Sequence, residues 1–214
     1  MLPFPVQGYL LLVTENELDT PDPHVYNRFI SCAACQFDNE KAIRVSMTAR
    51  PSNIVLIGMP GSGKSTVGVI LAKLTSRDFV DTDVLIQTCR ERALQDIVDT
   101  EGHMALRGIE EEILLGLDCS NCVIATGGSA VYGDAAMRHL KSGGVVVFLD
   151  VDLATLRSRV KDFDTRGLAK RPDQSFASLF DERFALYTKY ADVTIDCASL
   201  MQEEVCDRII GEIG

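Results

Sequence analysis

A chain of 214 residues with 46% apolar and 24% charged side chains has the makings of one folded domain with a single sizeable core and room for an appendage. Its formal net charge of -10 excludes a phosphate-backbone footprint, so nucleic acid is not an expected partner, whereas small anions answer to local arginines rather than to net charge. The sequence has no apolar run of the ~18–20 residues that span a bilayer and no signal-like N-terminus. Its seven cysteines, an odd number, fit a reducing compartment; a cytoplasmic monomer is expected.

In chain order, residues 1–46 show no sustained periodicity and are broken by the polar, proline-bearing "TENELDTPDPH". They read as an N-terminal extension, poorly ordered, or as sequence upstream of the true start, because "MTARPSNIVLIG" from Met47 looks like a fresh beginning. The domain proper is expected over 47–214. "NIVLIG" is a short apolar strand ending in glycine, followed by a helix over 64–76 with Val67, Ile70, Leu71 and Leu74 on one face. "FVDTD" carries the end of a second strand, and 105–117 reads as a helix with an acidic outer side. "CVIATGG" and "GVVVFLD" are continuous β-branched runs of the kind buried on both faces of a parallel sheet. A helix over 152–160, a polar stretch over 161–175, a longer helix from Phe176, the strand "DVTID" and an amphipathic C-terminal helix complete the chain. Strands alternating with helices imply a three-layer α/β fold with a five-stranded parallel sheet.

Residues 58–65, "GMPGSGKS", fit G-x-x-x-x-G-K-[ST] between a strand and a helix. The loop is expected to bind a nucleoside triphosphate through Gly58, Pro60, Gly61, Ser62, Gly63, Lys64, Ser65 and Thr66. Its glycines aim backbone N–H groups at phosphates, Lys64 reaches the β- and γ-phosphates, and the Ser65 hydroxyl ligates Mg²⁺. The loop alone leaves the acceptor open. Asp81 and Asp83, two apart on an extended segment, would point the same way, one toward the metal and one toward a substrate hydroxyl; the competing reading makes them caps of the next helix.

With "FVDTD", then "LRGIE" around Arg107, "GGS" at 127–129 and "RFALYTKYAD" from Arg183, the chain resembles the shikimate kinases from Asn53 to its C-terminus. That resemblance implies a nucleoside-monophosphate-kinase-like P-loop NTPase fold with sheet order 2-3-1-4-5. It also implies Mg²⁺-dependent transfer of the γ-phosphoryl of ATP to the 3-hydroxyl of shikimate, on the chorismate route to aromatic amino acids. Position by position, it places Asp83 on the shikimate hydroxyls and the reacting proton, Asp81 toward the Mg²⁺ shell, and Arg107 and Arg183 on the acid's carboxylate. Tyr187, Ala191 and Asp192 keep the frame of Arg183, while Gly127 and Gly128 let the backbone approach the substrate. Two guanidinium forks suit a small carboxylate on chemical grounds as well.

The chain departs from the family pattern where Ser129 replaces the third glycine, where Leu106 replaces phenylalanine, and where His103 follows Gly102 in place of glutamate. No "RPLL" lid is present; "RGLA" over 166–169 takes its place, and either Arg166 or Arg171 would close over the phosphate, Arg166 being favoured. Glu110 to Glu112 read as a solvated helix face, although Glu110 matches the family's glutamate. The pairs Cys32/Cys35 and Cys119/Cys122 read as ordinary thiols rather than zinc or redox centres. The rival functions are a kinase of another hydroxy acid, such as gluconate, and a nucleotide-binding relic without turnover.

Overall fold

The computed structural model describes residues 52–159, 168–171 and 173–214. The expected extension over 1–46, the lid residue Arg166 and the pair Cys32/Cys35 lie outside the described residues.

Strand β1 (Asn53–Ile57) is buried along its whole length. A strand that is apolar from Ile54 to Ile57 needs neighbours on both edges and both faces. It pairs in parallel with β3 (Cys122–Ala125) on one side and β4 (Gly144–Asp150) on the other. β2 (Asp78–Asp81) pairs with β3, and β5 (Val193–Asp196) with β4, giving the order β2-β3-β1-β4-β5. This is the expected sheet and order. The strand order reverses beside β1, so the crevice at its carboxyl end is where an open parallel sheet receives a ligand. Thr126 secures that end: its Oγ1 donates to the Leu56 carbonyl at 3.0 Å, and its N–H to the same oxygen at 3.2 Å.

Helix α1 (Lys64–Thr75) packs on one face with the C-terminal helix, and Val67 and Leu71 enter the main core. Leu74, expected on the same face, is instead 54% exposed. Helix α2 (Thr82–Arg90) is the one that the capping reading of the aspartates implies, whereas α3 (Leu94–Glu101) and α5 (Asp134–Gly143) carry no sequence expectation. Helix α4 (His103–Leu115) begins two residues before its expected start. With α2 and α3 it builds a second small core of Ile86, Ile97 and Leu106, into which Ala169 also packs. The chain closes with α6 (Leu153–Arg159), α7 (Phe176–Tyr190) and α8 (Gln202–Ile213). At the far end of the sheet, Asn53 clamps the loop before β3, donating to the Cys119 carbonyl and accepting from the Cys122 N–H. Burial pushes the Cys119 thiol up to about 12, and the Cys122 thiol is raised for the same reason, as inert structural cysteines require. Among the described residues no helix is long and apolar enough to cross a membrane.

Candidate functional site

The loop over 58–63 departs from β1 through backbone that only glycine adopts freely, with Gly61 at φ 84° and Gly63 at φ 98°. Gly58, at φ 147°, is also pressed for space: a Cβ there would stand 2.8 Å from the Leu149 carbonyl oxygen. Gly63 opens α1 without any side-chain cap, so the first-turn N–H groups and the helix dipole are left for a ligand. Lys64 is buried, and its Nζ bridges the carbonyls of Gly58 and Met59 at 2.8 and 3.0 Å. Burial lowers the ammonium to about 8, with Asp83 opposing the fall. The Ser62 hydroxyl is buried without a partner among the described residues, whereas Ser65 and Thr66 are exposed. A triphosphate fits this set of backbone, hydroxyl and ammonium donors.

Opposite the loop, β2 stops at Asp81, two residues short of the far end of the extended pair the spacing suggested. Asp81 Oδ1 caps α2, accepting from the N–H groups of Asp83 at 3.0 Å and Val84 at 3.3 Å. Asp83 therefore stands in the first turn of a helix, and the two carboxylates do not share a strand face. Between them Thr82, fully buried, accepts the Gly127 N–H at 3.0 Å and pins the double-glycine turn to the start of α2. Gly127 must be glycine for a reason of packing: a Cβ there would overlap the Glu110 carboxylate and stand 2.7 Å from an Asp83 oxygen. A Cβ on Gly128 would meet Arg183 Nη1 at 2.8 Å.

Glu110 is 3% exposed, so it is no part of a solvated acidic face; α4 turns it inward while Glu112 stays exposed. The Ser129 hydroxyl donates to Glu110 Oε2, and Oε1 is buried without a partner among the described residues. The serine that replaces a glycine thus holds a buried carboxyl beside Lys64, Asp83 and Arg183. Burial raises Glu110 from 4.5 to about 7, with the Ser129 hydrogen bond acting in the opposite sense. Between those values the folded chain keeps a proton that the unfolded chain releases, so folding stability falls as pH rises through this window. Glu110→Gln, uncharged throughout, is expected to unfold about 5 °C above the unsubstituted protein at pH 8, with the gap closing by pH 5. Thermal melts at both pH values measure this, and a gap independent of pH removes the carboxyl's burial as its cause.

Arg107 from α4 and Arg183 from α7 converge on one acceptor: Arg107 Nη2 lies 3.1 Å and Arg183 Nη2 3.0 Å from the Ala169 carbonyl oxygen. Arg183 is 1% exposed. Tyr187, one turn further along α7, donates to the Gly128 carbonyl at 2.7 Å and stacks on Phe148, so helix, turn and sheet are tied together at this point. Asp192 holds the following segment by accepting the Val146 N–H and pairing with Lys141.

The phosphate loop, Asp83, Glu110, residues 126–129, Ala169 and Arg183 line one cavity of about 270 Å³. Arg107 lines an adjoining recess, separated from that cavity by Glu110 and Ser129. Asp81 lies outside the lining of both, and its Oδ1 is committed to α2. Arg171 is exposed, 3.7 Å from Glu182, and does not line the cavity. The sequence reading missed Thr82 and undervalued Glu110. Thr82 stood in plain view inside "DTD", but a threonine between two aspartates draws notice only once the turn it anchors is seen.

A family model described as Shikimate kinase matches residues 60–214. Curated relatives include the shikimate kinase of Rippkaea orientalis, 38% identical over 75% of this chain and 85% of that protein. That of Thermodesulfovibrio yellowstonii is 38% identical over 75% of this chain and 94% of its own. Among solved structures, shikimate kinase from Acinetobacter baumannii in complex with shikimate superposes with a TM-score of 0.71 at 30% identity, covering 76% of this chain and 92% of that one. The Aquifex aeolicus shikimate kinase gives 0.65 at 35% identity over 74% of this chain and 94% of its own.

Proposed function

The chain belongs to the shikimate kinase family of small-molecule kinases, and on that footing we propose that it transfers the γ-phosphoryl group of ATP to the 3-hydroxyl of shikimate with Mg²⁺. One observation carries the reading. Two guanidinium groups from different helices meet a single acceptor oxygen at the rim of the cavity that holds the phosphate-loop lysine. An anionic oxygen of an acid would be a stronger acceptor there than the neutral Ala169 carbonyl.

In this reading Arg107 and Arg183 hold the carboxylate, and Asp83 orients the acceptor hydroxyl. Asp83 takes the hydroxyl proton as that oxygen bonds to the γ-phosphorus and the bridging oxygen leaves with ADP. Lys64 exchanges its two carbonyl partners for phosphate oxygens and offsets the charge that develops. Gly127, Gly128 and Ser129 shape the acceptor floor. Mg²⁺, when bound, would neutralise phosphate charge, with Ser65 as its ligand from this chain; Asp81 would have to leave its capping position at the start of α2 to reach the outer shell. Among the described residues no cluster of three His, Cys, Asp or Glu side chains forms a cation cage, as befits an ion carried mainly by nucleotide phosphates. Arg166, with Arg171 as its alternative, would close over the γ-phosphate.

A different hydroxylated acid is the second reading, because the Ser129–Glu110 contact makes the acceptor floor polar at a point where glycine would leave it bare. ADP release from Mg-ATP, measured with shikimate, quinate or gluconate at millimolar concentration, separates the two. Turnover that depends on shikimate alone is the expected outcome; preference for another acid moves the acceptor assignment, and ATP binding without turnover overturns it.

A further inference from the structure

Tyr132 and Glu182 belong to none of the motifs above, yet they stand directly behind the two arginines. Tyr132 closes the short 3-10 turn Ala130–Tyr132 that follows the double glycine. The Arg107 guanidinium carbon lies 3.5 Å from the centroid of its ring, and that of Arg183 lies 5.5 Å from the same centroid. The Tyr132 hydroxyl donates to Glu182 Oε1 at 2.6 Å. Glu182 is the residue before Arg183 in α7. Its other oxygen accepts from Gln174 Nε2 at 2.6 Å, and Gln174 is 6% exposed.

The chemistry of a guanidinium explains why a ring suits this place. Its five N–H donors lie in the plane of the group, and a carboxylate is recognised through that edge. A protein carboxylate paired directly with Arg107 would occupy the edge and compete with the ligand. A ring against the face attracts the cation through its quadrupole and leaves the edge free. Two arginines aimed at one oxygen also repel each other; one ring within reach of both offsets part of that repulsion. Burial lowers the Arg107 pKa, and Arg183 adds to the fall, while Tyr132 and Glu182 oppose it. Glu182 accepts from the phenol and so fixes the far end of the ring's axis, while its charge acts on Arg107 across space. Its second oxygen ties the same ring to the Gln174 side chain, in the stretch that carries Ala169.

We propose that Tyr132, held by Glu182, is a positioning residue for the acid acceptor: its ring sets the plane and spacing of Arg107 and Arg183 so that both present their N–H edges to one carboxylate. The proposal rests on the reading of those arginines as the carboxylate clamp. It acts on acceptor binding and leaves the nucleotide half of the site untouched.

Steady-state kinetics on three variants of the full chain, with KM determined separately for shikimate and for Mg-ATP, test it. Tyr132→Leu, which loses the ring, is expected to raise the acid KM about tenfold while the ATP KM stays within about twofold. Tyr132→Phe, which keeps the ring and loses the tether to Glu182, is expected to fall between, with a rise of about two- to threefold. If the phenylalanine variant is as damaged as the leucine variant, or if both substrates suffer equally, the ring is structural and the proposal is overturned. If the leucine variant does not fold, the phenylalanine variant decides alone, an unchanged acid KM counting against the proposal. Arg107→Ala separates the two layers of inference. If it leaves the acid KM unchanged, the carboxylate clamp fails and the positioning role goes with it. If it raises the acid KM while Tyr132→Leu does not, the clamp stands and the positioning role alone is wrong.

Discussion

Asp83→Asn is expected to lower turnover by about 100-fold or more while changing the affinity for ATP by less than about threefold. The substitution keeps the shape of the side chain and removes its charge and its capacity to accept a proton. Asp83 stands in the first turn of α2, facing Gly127 across a gap too narrow for a Cβ. Burial raises its pKa, and the ammonium of Lys64 pulls it back. Lys64 in turn is lowered to about 8 by burial and supported first of all by Asp83. Two oppositely charged groups, each strained by burial and each relieved by the other, mark a place where a proton can change hands at little cost. The neighbouring carboxylate cannot substitute, because Asp81 is turned away to cap the helix and is absent from the cavity lining. Isothermal titration with a non-hydrolysable ATP analogue, beside turnover with shikimate, reads both quantities. Unimpaired turnover would take Asp83 out of the proton-transfer step.

Arg183→Met should raise the acid KM by about 100-fold, with the ATP KM changed by less than about threefold. Methionine replaces the long side chain without its charge, so much of the packing against Tyr187 and Gly128 survives. What disappears is the buried half of the proposed clamp: Arg183 is 1% exposed, and its Nη2 reaches the same oxygen as Arg107. A buried guanidinium hydrogen-bonded to a carboxylate contributes on the order of a few kcal/mol, more than a half-exposed one screened by water. Arg107 is only half-buried, so its removal should weaken the acid less than removal of Arg183 does. Equal effects of Arg107→Ala and Arg183→Met would contradict that ordering, and an effect on ATP alone would remove Arg183 from the acceptor side.

The local rules by which a chain reads itself account for what was legible. The phosphate loop is a contiguous pattern, and its function follows from backbone N–H groups within eight residues, so position along the chain is enough. Continuous β-branched runs ending in glycine or aspartate mark buried parallel strands, and their alternation with helices leaves few topologies. Helix α3 was not legible and α2 showed only in the capping reading of its aspartates, because each buries little: Thr82 and Ile86 in α2, Ile97 in α3. With one or two inward residues there is no periodicity to detect, and it is packing against α4 that holds them in place.

The sequence by itself determined the parallel sheet and the nucleotide loop, and its resemblance to the shikimate kinases implied the strand order and proposed the residues of the acceptor side. Only the tertiary structure decided what those residues do to one another. Asp81 caps a helix because the extended backbone ends there, two residues before Asp83. Glu110 is buried because α4 is rotated to face the glycine turn, and Ser129, which looked like a flaw in a glycine motif, is its hydrogen-bond partner. Tyr132 and Glu182, 50 positions apart, meet behind the arginines. Local backbone preference is set within a few residues and survives as pattern, whereas a side chain's charge state and orientation depend on neighbours that only folding brings within reach.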